Sequence, residues 1–132
     1  MEAYNIIDIV REIDRYESAT DAILCLIRVL RVFLEGKCCV SEFRRSLARC
    51  LRRLGICSVR LRRSQEGMEI VRELESIRHK ILTLLPEIGL GMEAKTTKVE
   101  REIEEVLKRL EELYRTLYQL QNELRRLIPS LV

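Results

Sequence analysis

TKVEREIEEVLKRLEELYRTLYQLQNELRRLIP, residues 97–129, carries the most regular pattern in the chain and decides its fold class. Val99, Ile103, Val106, Leu110, Leu113, Leu117, Leu120, Leu124 and Leu127 step four, three, four, three without a break, the spacing that lays apolar side chains along one stripe of an α-helix. Thr97 with Glu100 makes a capping box at the start, and Pro129 follows the end. One helix of about thirty residues, about 45 Å long, is expected. Leu107, Tyr114 and Ile128 widen the stripe beyond a two-stranded seam, so it should meet two or more helices, inside one bundle or between chains. The residues from Ile103 to Leu127 are thus candidates for hairpin packing or for oligomerisation.

Working back from there, PEIGLGMEAKTT at 86–97 has the glycines and polar residues of a loop. Ahead of it Ile70, Leu74, Ile77, Ile81 and Leu84 again step four, three, four, three, a helix from about Met68 that Pro86 should end. Two long helices in succession make an αα-hairpin of coiled-coil character. Residues 56–71 are ambiguous. ICSVRLRR alternates Cys57, Val59 and Leu61 with polar residues in the period of a strand, which allows a small β-wing, whereas Ser64 could instead cap a helix. Earlier still, Ser41 is the expected cap of a helix that Gly55 ends, with Phe43, Leu47, Cys50, Leu51 and Leu54 as its buried stripe. Ser18 and Asp21 resemble a capping box, dividing the N-terminal region into a helix at 3–16 and a second at 19–35 stopped by Gly36. The expectation is one all-α domain of about five helices over 1–132: N-terminal helices at 1–36, an Arg-rich segment at 37–63, and a long helical hairpin at 64–132.

Nearly half of the 132 residues are hydrophobic, 34% are charged and few are aromatic, a balance suited to a packed helical domain. The densest apolar run, Ala22 to Leu34, is too short for a membrane span. The acidic N-terminal stretch does not read as a secretory leader, so an intracellular or virion setting is expected. Glu supplies 18 of 21 acids and Arg 19 of 24 bases, with Asn and Gln scarce, a bias that leans towards a thermophile.

Charge is concentrated in one place. Residues 37–63 hold nine bases and one acid, +8 within a chain total of +3. Guanidinium forks match phosphate in charge and in bidentate geometry, so Arg44, Arg45, Arg49, Arg52, Arg53, Arg60, Arg62 and Arg63 are candidate nucleic-acid contacts. With no aromatic residue interleaved beyond Phe43, they should grip duplex backbone and ignore sequence. A plainer account makes them a solvated face paired with glutamates at 66, 69, 73 and 75.

SLARCLRRLGICSVRLRR also resembles the LxxLGI turn of a helix-turn-helix, which implies a DNA-binding regulator dimerised by its last helix. A third reading is a helical adaptor whose arginines meet an acidic protein. Cys38, Cys39, Cys50 and Cys57 have the wrong spacing for zinc and read as buried thiols or as a disulfide from Cys38 or Cys39 to Cys50 or Cys57; Cys25 reads as core. His79 stands alone on an outer face, and Asp8, Asp14 and Asp21 do not form a carboxylate pair, so no enzyme, metal, cofactor or small-molecule substrate is expected. The sequence favours a non-enzymatic, self-assembling nucleic-acid-binding protein, such as a nucleoprotein or a virion structural protein.

Overall fold

A computed structural model describes residues 5–62, 65–89 and 97–129. They form four helices rather than five: α1 (Ile6–Leu34), α2 (Val40–Leu61), α3 (Gln65–Gly89) and α4 (Thr97–Leu127).

The first two expected helices are one. Ser18 does not cap; it lies within α1, where its carbonyl accepts a bond from the Cys57 thiol at 3.2 Å. The true N-cap is Asn5, whose side chain accepts from the Asp8 amide at 2.9 Å, with the Asp8 carboxylate favourably placed in the first turn. Between Glu17 and Asp21 nothing breaks a helix, and Ala19, Thr20, Ala22 and Ile23 are all buried, so packing carries the helix through. At its far end Gly36 takes φ 72°, and the bonds Gly36 N–H to Phe33 O and Lys37 N–H to Val32 O close a Schellman motif, as the glycine implied.

α2 starts one residue ahead of the expected cap: Cys39 occupies the N-cap position and Ser41 lies inside the first turn. It also runs through Gly55 to Leu61, which removes both the β-wing and the helix-turn-helix turn. The deciding residue is Val59. A strand would bury Cys57, Val59 and Leu61 together, yet Val59 is 67% exposed while Cys57, Ser58 and Leu61 continue the stripe of Leu47, Leu51 and Leu54 at helical spacing. α3 passes Pro86 by one turn, correcting the expected stop. Ile88, buried at the end of that turn, gives the extra residues something to hold. The loop at 90–96, the Ser64 cap and Arg63 lie outside the described residues, as does the side chain of Thr97.

Packing runs round a square, α1 on α2, α2 on α3, α3 on α4 and α4 on α1. Every neighbouring pair is antiparallel. Phe33 stacks on Phe43 while Ser18 meets Cys57; Arg44 reaches Leu85 while Arg62 faces Glu75; Lys80 faces Glu102 while Glu73 holds Arg109; Glu17 meets Arg125 while Arg31 meets Glu111. In each case rising numbers on one helix meet falling numbers on the next. The core fills the middle of this up-down-up-down bundle with Ile23, Leu26, Leu30, Leu47, Leu54, Leu74, Ile77, Ile103 and Leu110. No helix among the described residues is long and apolar enough to cross a membrane.

Candidate polyanion surface on the second helix

The 4-3 stripe of α4 is spent mostly inside its own subunit. Ile103, Val106, Leu110, Leu113 and Leu117 are buried, Leu120 and Leu124 are half-buried, and only Leu127 is exposed, at 43%. Gln121, which the apolar pattern passed over, is also buried, its amide within 3.4 Å of the Thr20 hydroxyl on α1.

All seven described candidate arginines, Arg44, Arg45, Arg49, Arg52, Arg53, Arg60 and Arg62, are exposed on α2 or just beyond it. Two have partners: Arg44 donates to the Leu85 carbonyl at 2.9 Å, and Arg62 lies 3.9 Å from Glu75. Lys37 pairs with Glu35 at 2.9 Å. Arg45, Arg49, Arg52, Arg53 and Arg60 make no ion pair with any described residue. Of the glutamates that the plainer account would use on α3, Glu75 does meet Arg62, shared with Arg78, whereas Glu73 is engaged by Arg109 at 2.9 Å and Glu66 and Glu69 make no ion pair with a described residue. Glu66 faces Glu12 across the bundle end; there, burial and the Glu66 charge push the Glu12 carboxyl up, against the pull of Arg15.

Because α2 is one continuous helix, its five unpaired arginines fall into two rows. Arg49, Arg53 and Arg60 step four and seven along the flank nearer α1, where their charges reach the inward thiols Cys50 and Cys57. Arg45 and Arg52 lie on the other flank, in line with Ile56 and Val59, which are 62% and 67% exposed. Arg52, Ile56 and Val59 of that row border a groove of about 540 Å³ between α2 and α3, floored by Ala48, Leu51 and Gly55 and walled by Leu82 and Leu85, with Arg78 opposite Arg52. Sequence reasoning missed this groove, because Ile56 and Val59 could be assigned to its wall only once the helix was known to pass Gly55.

All five cysteines are reduced, with no disulfide among them, and the expected disulfides cannot form. Cys50 stands eleven residues along α2 from Cys39, about 16 Å of rise, and Cys57 stands farther still; a disulfide needs its Cα atoms within about 7 Å. The neighbour of Cys50 is instead Cys25 on α1: burial first, then Cys25, pushes the Cys50 thiol up to about 12. Burial also raises Cys57, while the Ser41 hydroxyl and the start of α2 lower Cys39. No cluster of three or more metal-ligating side chains occurs among the described residues, and His79 is exposed. In comparison with known proteins, no family model, curated protein or solved structure matches the chain.

Proposed function

We propose that this chain is a non-enzymatic, self-assembling protein that grips the phosphate backbone of duplex nucleic acid without reading its sequence, in the manner of a nucleoprotein or a virion structural protein. One observation carries the reading: five guanidinium groups, unpaired among the described residues, stand exposed in two adjacent rows along a single continuous helix. From Arg45 to Arg60 they span about 22 Å, the axial length of about six base-pair steps. Leaving such a surplus without counter-ions costs self-repulsion that a polyanion relieves. Phe43, the one aromatic residue in the segment, is buried against Phe33, so no ring is offered to a single-stranded base.

Titrating a labelled duplex at several salt concentrations tests this. Five phosphate contacts give a slope of log K against log salt of about −4.5, and random and defined sequences compete equally. Replacing Arg49, Arg53 and Arg60 by alanine should bring the slope to about −2 without unfolding the chain, since all three face solvent. Absence of binding at low salt, or one sequence outcompeting the rest, overturns the proposal. A second reading, a helical adaptor that meets an acidic protein, draws support from Ile56 and Val59, whose apolar side chains gain nothing from phosphate.

A further inference from the structure

Self-assembly needs a surface, and the α4 stripe, buried in its own bundle, leaves little to offer. Two other stripes are exposed. On α1, Ile7, Val10, Asp14 and Asp21 step three, four and seven along the outer face, with Ile7 58% and Val10 44% exposed and neither aspartate in an ion pair with a described residue. On α2, Arg45, Arg52, Ile56 and Val59 step seven, four and three along one exposed row, the last three of them lining the groove. The second series is the first reversed.

From this we infer that the first turns of α1 from a second copy of this chain lie in the α2–α3 groove, antiparallel to α2. The register then sets Ile7 over Val59, Val10 over Ile56, Asp14 beside Arg52 and Asp21 beside Arg45. Four apolar side chains leave water together, and two aspartates meet two arginines that have no partner among the described residues. The wider charges agree with the local ones: Ile6 to Asp21 holds five acids against two bases, while Val40 to Leu61 holds six arginines against Glu42. Gly55 adds an independent sign. It interrupts nothing, and a Cβ built on it would meet no atom within 4 Å, so the groove floor is open where a second helix would approach. Donor and acceptor stripes are different surfaces of one chain, so the contact is head-to-tail and extends an assembly.

Sedimentation velocity over a concentration series, without nucleic acid, tests the register. Wild-type protein should self-associate with a size that grows with concentration. Asp14→Arg and Arg52→Asp should each weaken association about tenfold, and the double variant, which restores the pair between copies, should recover most of that loss. Val10→Glu should abolish association, while replacing Arg49, Arg53 and Arg60 by alanine, which defeats the phosphate proposal's contacts, should leave it intact. All these positions are exposed, and circular dichroism of each variant is the check that it folds. A wild-type chain that stays monomeric at the highest concentrations, or a double variant no better than its parents, overturns the inference; the former result would return the groove to a foreign acidic helix.

Discussion

Gly55→Ala separates the continuous α2 from a helix that stops at Gly55, because the two arrangements give opposite signs. In the interior of a helix, glycine is about 0.8–1 kcal/mol worse than alanine, since it loses more backbone freedom on folding. The gain is offset if the new methyl collides, but here it meets nothing within 4 Å, and Gly55 does not take a positive φ. The full propensity difference should therefore appear as added stability of about 0.5–1 kcal/mol, a rise in melting temperature of about 2–5 °C for a domain of this size. Urea unfolding followed by helical circular dichroism, on protein dilute enough to be dispersed, measures it directly. Gly36 is the internal control: its φ of 72° closes α1, and Gly36→Ala should cost about 1 kcal/mol through the left-handed backbone. Should Gly55→Ala destabilise the chain as Gly36→Ala does, α2 ends at residue 55, and the rows and the groove built on residues 56–61 fall with it.

Thiol alkylation near pH 8, read residue by residue by mass spectrometry, should label exposed Cys39 first, as its lowered pKa enlarges the thiolate fraction, and Cys50 only on unfolding, since its thiol lies near 12. Glu12→Gln should stabilise the fold at neutral pH, because a carboxyl raised in the folded state is penalised while ionised. That advantage should shrink as pH falls through the raised folded pKa towards the ordinary carboxylate range, where wild-type Glu12 takes up its proton. Leu110→Ala, at a fully buried position of α4, should cost about 3 kcal/mol, whereas Leu127→Ala, 43% exposed, should cost well under 1 in dispersed protein.

The helical class and the course of α4 were legible because an apolar 4-3 repeat with no glycine or proline inside it has one low-energy reading. Boundaries elsewhere were not, for a common reason. Ser18-x-x-Asp21, Gly55 and Pro86 are local signals that a helix can end; whether it does depends on what the next turn can bury. After Ser18 that turn buries Ala19, Ala22 and Ile23 against two neighbours, after Gly55 it buries Cys57 and Leu61, and after Pro86 it buries Ile88. Only at Gly36, where the following residues offer no such stripe, did the signal win. The charge surplus of the second helix was likewise plain from composition, while its division into two rows required the helix to continue past residue 55.

That division has a thermodynamic consequence. Arg45 and Arg52 are claimed twice, by phosphate in a dispersed chain and by Asp21 and Asp14 of a neighbour in an assembled one, whereas Arg49, Arg53 and Arg60 are claimed by phosphate alone. Binding to the first pair is mutually exclusive, so by linkage nucleic acid should weaken self-association by the same factor that self-association weakens nucleic-acid binding. The salt slope reports which state is present: about −4.5 with five arginines available and about −2.7 with three. Measured at rising protein concentration, the slope should fall between those limits in step with the sedimentation-defined assembly. A slope that stays constant while the protein assembles means that the two arginines are not shared, and the antiparallel register with Arg45 and Arg52 in its seam is then wrong.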